Sequence, residues 1–216
     1  MGEKKLKSSK IGLKNVHIAE FFPETNKFGK PIRFKTIKEM VISVNVAENE
    51  EYNDDELFEI LDSFENFEVE ATFTDLTPAE QAFLFGWRKK GALKFSGSKD
   101  NPPWIAFMGE RSKQDKTKRF FKYFKGKSRL ESESAKSKGG GSVEAQSDKI
   151  IIKCGPLPDD FPVAEYQSEA KVIVDEADPE YADEGKTWYD EVVPGQTIEG
   201  GLVTPPEPAE PDDTDD

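Results

Sequence analysis

Apolar and polar residues alternate with a period of two along most of the chain, the pattern of strands with one face on a core. Residues 11–22 and 31–37 read as strands joined by the turn ETNKFGK, whose Asn and Gly suit a hairpin. Met40, Ile42, Val44 and Val46 form one face of a third strand, with Val41, Ser43 and Asn45 on the other. In a fourth, Phe67, Val69, Ala71 and Phe73 oppose Glu68, Glu70, Thr72 and Thr74. A slip of one residue there would bury two carboxylates, so its register is firmly specified. Further strands are predicted at 104–110, 120–124, 150–154 and 169–174.

The period changes once with clear punctuation. In TPAEQAFLFG, Thr77 is a helix N-cap, Pro78 takes the first helical position, and Glu80 completes a capping box. Gly86 can close the helix in the left-handed conformation. Ala82, Phe83 and Trp87 are expected to face a sheet, and a second helix is expected over 54–63. The stretch 131–148, rich in Gly, Ser and charge, reads as a long flexible loop. Residues 1–10 read as a flexible basic arm, 11–193 as one β domain, and the Pro/Asp-rich 194–216 as a disordered tail.

Charge alters this picture more than composition does. The net charge of −13 is unevenly spread: 155–216 carry 19 Asp or Glu against 2 Lys or Arg, while 1–154 carry 24 against 28. Residues 48–70 hold 11 carboxylates, and no Lys or Arg occurs from 39 to 87, yet Leu57, Phe58, Ile60, Leu61 and Phe64 lie in the same stretch. By contrast, 94–129 hold 11 Lys or Arg against 3 acids, interleaved with aromatics. That run could contact phosphates. It reads more simply as a strand pair with an apolar inner face and lysines outside. Its economical partner is the acidic stretch of another copy, because a surface split by sign favours head-to-tail association. The contact candidates are Arg111, Lys113, Lys116, Lys118 and Arg119 on a basic hairpin tip at 111–119, against Asp54, Asp55 and Glu56. The tip and the loop are expected to become ordered only on assembly.

Catalytic signatures are missing. One His (His17) and one Cys (Cys154) leave no imidazole–nucleophile pair or zinc set in the sequence, and no catalytic, cofactor-binding or metal-binding residue is assigned. His17 is expected at solvent or a subunit contact, and Cys154 as a small buried hydrophobe. A single Cys permits no intrachain disulfide. No run approaches the ~20 apolar residues of a membrane span. The expectation is a soluble chain without enzymatic activity.

An ordered series of segments resembles the major tail tube proteins of long-tailed bacteriophages, in the subgroup common among phages of Gram-positive hosts. The series is IGLKNVHIAEF, EEYNDDELFE, FENFEVEATFTDLTPAEQAFLFG, PPWIAFMGERSKQDKTKRFFKYFKGKSRL, KIIIKCGPL and EAKVIVDEADPEYADEGKTWYDEVV, spanning roughly 11–193. KSKGGGS looks like an insertion, and the end after Thr204 lies outside the pattern. The resemblance implies a mainly β fold, an antiparallel β-sandwich or partly closed barrel with one packed helix. It also implies hexameric rings stacked into a hollow tube, the conduit for genome ejection, with long loops such as 131–148 and the termini between rings. Implied partners are other copies of the chain, a tape measure protein, a tail chaperone, and tail terminator and baseplate proteins. DNA would pass without specific binding, and the protein would reside in the virion tail after synthesis in the host cytoplasm. Glu68 and Glu70 are candidates for a negative lumen lining, since a cationic lumen would hold the genome. The other reading of so acidic a chain is a monomeric or dimeric binding module, such as a DNA mimic or an inhibitor of a host factor.

Overall fold

The computed structural model describes residues 9–53, 56–134, 147–178, 180 and 184–198. Strands β1 (Lys10–Phe22), β2 (Lys27–Phe28), β3 (Ile32–Arg33), β4 (Ile37–Asn53) and β5 (Glu56–Phe73) precede the helix α1 (Pro78–Phe85). After it come β6 (Arg88–Lys90), β7 (Leu93–Phe95), β8 (Trp104–Lys113), β9 (Lys118–Glu133), β10 (Asp148–Cys154) and β11 (Lys171–Asp175). The fold is mainly β. Nine strands form one antiparallel sheet in the order β2-β1-β8-β9-β10-β5-β4, with β3 on β1 and β11 on β9, while β6 and β7 pair only with each other. The large sheet is not closed. It does curl until its ends converge: the Phe34 amide donates to Val16 O at 2.8 Å, and the Phe34 ring meets Phe73 edge-on at 6.1 Å.

Strand β9 joins the two halves of this sandwich-like fold. Its first part pairs with β11 from Arg119 to Tyr123, and its second part pairs with β10 from Gly126 to Glu133. Lys125, at φ 42°, separates the two and lies opposite a register shift in β8. One extra residue in a strand reverses which side chains face inward. Phe121 and Tyr123 accordingly enter the main core, and beyond the bulge the inward residue is Ser128, whose Oγ donates to Leu84 O at 2.5 Å. Gly126 lies so close to Cys154 that a Cβ there would stand 2.8 Å from its Sγ.

The sheet of β1, β8 and β9 is buried on both faces. Val16, Ile18, Ile105 and Phe107 join Val69, Phe73, Ile150, Ile152 and Leu84 in one core. Ala19, Phe21, Ala106, Met108 and Phe124 face the other way, into a second core closed by Leu157, Phe161, Val192 and Val193. The stretches 157–166 and 188–193 therefore form a lid over the second face, with β11 between them joining the sheet edge on β9. Alternation in these strands is masked because both parities are apolar.

The helix punctuation holds in detail. Thr77 N donates to Glu80 Oε2 at 2.8 Å, Thr77 Oγ1 accepts from Glu80 N at 3.3 Å, and Gly86 sits at φ 66°. A Cβ on Gly86 would lie 2.1 Å from Asn101 O, so the site requires glycine. The buried helix face is Gln81, Ala82, Leu84 and Phe85, while Phe83 and Trp87 are only half-buried.

Several expectations are corrected. The helix expected over 54–63 is replaced by strand from Glu56 onward, paired with β4 back to Asn53. Asp62 and Glu65 would load a helix C-terminus with the unfavourable charge sign, and a long partner strand is at hand. The loop expected at 131–148 narrows at both ends, since β9 continues to Glu133 and β10 begins at a buried Asp148; 135–146 lie outside the described residues. In the expected tail, Phe28 N donates to Gln196 O and Ile198 N to Phe28 O, both at 2.8 Å, so 194–198 dock beside β2. Most of the arm at 1–10, and 199–216, lie outside the described residues.

Candidate functional site

The described residues present three surfaces able to meet another molecule, and one basic surface already occupied from within. The first is the hairpin of β4 and β5. Strand β10 accompanies β5 only from Phe73 to Phe67, whereas β4 and β5 continue to pair from Asn45–Asn66 out to Asn53–Glu56. At ~3.3 Å per residue this two-stranded arm projects roughly 25 Å beyond the sheet. Val44 and Val46 (56% and 46% exposed) and Phe64 stand at its base. The far edge of β4 has no strand beside it among the described residues. Of the candidate contact residues, Glu56 opens β5, while Asp54 and Asp55 lie outside the described residues.

The second is the outward face of β5 and β10. Val69, Ala71 and Phe73 are fully buried, so Glu68 and Glu70 lie on the opposite face. Neither stands as a bare negative charge. Lys149 Nζ lies 2.8 Å from Glu70 and 2.9 Å from Glu131, and Lys153 Nζ lies 3.4 Å from Glu68. The hydrogen bonds that Lys149 donates to Glu70 and Glu131 raise its pKa. The face is a lattice of alternating signs, and the uniformly negative belt expected from Glu68 and Glu70 is not what it presents.

The third is the small hairpin of β6 and β7, which carries Arg88, Lys89, Lys90 and Lys94 and exposes Leu93 and Phe95.

The occupied surface is the basic hairpin at 111–119. Arg111–Lys113 belong to β8 and Lys118–Arg119 to β9, leaving a turn whose exposed residues are Gln114, Asp115 and Lys116. The Lys113 side chain is 0% exposed and its Nζ meets Asp175 Oδ1 at 2.5 Å. Arg119 grips Asp175 Oδ2 through Nε at 2.8 Å and Nη2 at 2.6 Å. Burial alone would raise the Asp175 pKa, but hydrogen bonds from Lys113, the Ala177 amide and Arg119 hold it below the usual carboxylate range. Lys118 pairs with Glu110 at 3.2 Å, and its amide donates to Glu176 at 2.9 Å. Arg111 lies over the Phe121 ring, 5.5 Å from its centroid. The hairpin is thus ordered within a single chain, by the acidic segment that follows it, contrary to the expectation that ordering waits for a second copy.

The same lid holds two buried polar groups that the sequence reading did not anticipate. Lys122, expected outside, points into the second core and donates to Glu191 O and Val192 O at 2.9 Å. Its ammonium lies 4.2 Å from the Trp188 ring centroid. Burial pulls its pKa down to about 8, against the opposing pull of Glu191. Glu110, 2% exposed, accepts from Tyr189 Oη at 3.2 Å. His17, expected at solvent or a subunit contact, is half-buried and stacks on Tyr189 at 4.3 Å, and burial lowers its pKa. The signal for Lys122 lies in FFKYF: aromatics of both parities mark a strand covered on both faces, so a Lys between them is inside. Cys154 is fully buried, which pushes its thiol pKa up.

Among the described residues no group of His, Cys, Asp and Glu is placed to hold a metal ion, and no helix is long and apolar enough to cross a membrane. No protein-family profile and no curated protein matches the chain. A solved structure similar to it is an extracellular contractile injection system, a PVC sheath–tube complex in the extended state. It is 8% identical with a TM-score of 0.33, over 76% of this chain and 91% of that one.

Proposed function

We propose that the chain is a structural rather than catalytic protein of a phage-type tail, self-assembling into stacked hexameric rings that form the hollow tube through which a genome leaves the virion. The observation that carries this reading is the β4–β5 arm. A two-stranded hairpin is at best marginally stable alone in water, and this one continues well past its last neighbouring strand. An arm of that length beside an open β4 edge is a fold awaiting a neighbour, and strand addition at such an edge supplies backbone hydrogen bonds. The ordered segments that resemble tail tube proteins give the neighbour its identity: further copies of the chain, with tape measure, chaperone, terminator and baseplate proteins at other stages and positions.

In this reading the face of Glu68 and Glu70 lines the lumen. Duplex DNA carries one charge per ~1.7 Å, and lysine contacts would act as a brake at every ring. Here Lys149 and Lys153 are held by Glu70, Glu131 and Glu68, so the carboxylates serve by occupying lysines on their own wall. Negative-stain microscopy of the concentrated purified protein tests the whole reading. Rings or tubes are expected; a monodisperse small species after long incubation would exclude it and favour a stand-alone acidic binding module.

A further inference from the structure

We infer that the β6–β7 hairpin is a cationic finger that docks on the acidic β4–β5 arm of a second copy of this chain. Arg88, Lys89, Lys90, Lys94 and Lys99 fall within twelve residues of sequence. None of them has a carboxylate partner among the described residues; the one polar contact is Lys94 Nζ to Gly91 O at 3.4 Å. Asp100, the acid next to Lys99 in sequence, is engaged locally, its Oδ2 accepting from Ser96 Oγ at 3.0 Å and Gly97 N at 2.8 Å. Across the hairpin Lys89 stands directly opposite Lys94. Like charges facing each other across two strands are destabilising, so the arrangement is poorly suited to an isolated molecule and well suited to one whose anion comes from outside. Leu93, 60% exposed, and Phe95, 43% exposed, add apolar area within this cationic surface, the mixture found where protein meets protein.

The occupant follows from charge. Residues 48–70 carry 11 carboxylates, with no Lys or Arg between 39 and 87. The other basic hairpin, at 111–119, is already matched by Asp175, Glu110 and Glu176 of its own chain. Among the described residues this makes the β6–β7 finger a cationic surface without an acid, and in sequence 48–65 is an acidic run with no Lys or Arg of its own. The inference rests on the self-assembly reading and names one of its contacts.

Zero-length carbodiimide cross-linking of a mixture of isotopically light and heavy full-length chains tests it. The expected products join Lys89, Lys90 or Lys94 of one chain to carboxylates of 48–70 in the other, and fall about tenfold at 1 M salt, where the screening length is ~3 Å. The variant K89E/K90E/K94E, checked for native circular dichroism and melting, is expected to lose these products, and adding the reversal E48K/E50K/E51K to the arm of the same chain is expected to give cross-links of the opposite polarity, arm amine to finger carboxylate, between the same two segments. Tubes seen by microscopy without finger–arm cross-links would overturn the docking and leave the tube reading standing. Finger–arm cross-links between chains that never form rings would support the docking and count against the tube. A monomer with no intermolecular products would overturn both. An equimolar duplex oligonucleotide that abolishes the cross-links in tube-competent protein would overturn the inference in favour of nucleic acid as the finger's partner.

Discussion

Two hairpins, each about half Lys or Arg, behave oppositely. In the hairpin of β8 and β9, Lys113, Lys118 and Arg119 are matched by Asp175 and Glu110 of the same chain. In the hairpin of β6 and β7, Arg88, Lys89, Lys90 and Lys94 face no carboxylate among the described residues. The difference is one of neighbours. The first is flanked by β11, which brings an acidic segment alongside; the second is a separate two-stranded sheet. Positive charge in a sequence therefore says little about availability until its cross-strand partners are known.

The contrast is broken hardest at Asp175. Replacing it (Asp175→Asn) leaves the fully buried Lys113 ammonium without that carboxylate, and removing one partner of a buried pair costs about 3–5 kcal/mol. Urea unfolding at neutral pH measures this, and the loss should be barely relieved by salt. The same pair gives an acid limb. With its folded pKa held below the ordinary 3.8, Asp175 contributes stability that is fully present above that pH and lost as pH falls through the folded value. The variant is expected to lack that part of the limb.

Lys122 gives the next largest effect, in the opposite direction on the pH scale. Its pKa falls from 10.5 unfolded to about 8 folded, so between these values the unfolded chain binds a proton that the folded chain does not. Stability from this group rises with pH across that window and is flat below it, by about 3 kcal/mol at 1.36 kcal/mol per unit. Hydrogen bonds to two carbonyls and the Trp188 face offset part of that. Tyr189 and Cys154, both raised by burial, pull the other way at high pH. Subtracting the Lys122→Met profile from that of the natural protein isolates the rising component; a flat difference would show that Lys122 keeps its proton in the core.

Smaller effects sharpen the comparison. Thr77→Ala removes the capping box and is expected to cost about 1 kcal/mol by thermal unfolding. Glu68→Gln and Glu70→Gln break half-buried surface pairs and should each change stability by under about 1 kcal/mol. They leave Lys153 without Glu68 and Lys149 with Glu131 alone, so if the proposed tube forms and this face lines its lumen, slower DNA release is expected. Unchanged ejection kinetics would remove that assignment. Arg88→Ala and Lys90→Ala, smallest of all, should stay within about 0.5 kcal/mol in the monomer; a larger loss would mean that the β6–β7 hairpin is held internally after all.

Much of the architecture is legible in the residues themselves. The strand of Phe67–Phe73 and the helix from Pro78 are specified by local pattern and capping chemistry, which depend on neighbours a few positions away. What escapes is non-local. Nothing near Lys113 in sequence announces Asp175, 62 residues on, and nothing near Phe124 announces that Phe161 and Val192 will cover it. The stretch from Glu56 to Ser63 was misleading for the same reason: its helix-like run of Leu, Phe and Ile is overridden by a partner strand ending at Asn53. The charged faces were legible in sign but not in pairing, because Glu70 and Lys149 are neighbours only through the sheet.

The lid over the second core has a consequence for how the protein is made. Leu157, Phe161, Val192 and Val193 are synthesised after β1–β10, and among the described residues they close the core of Phe21, Met108 and Phe124. While translation proceeds, the emerging sheet carries a bare apolar face beside cations whose carboxylates have not yet left the ribosome. That face is covered only as Phe161, Val192 and Val193 arrive. A stop codon anywhere between β10 and Val193 should therefore leave Phe21, Met108 and Phe124 bare and send the truncated chain into the insoluble fraction.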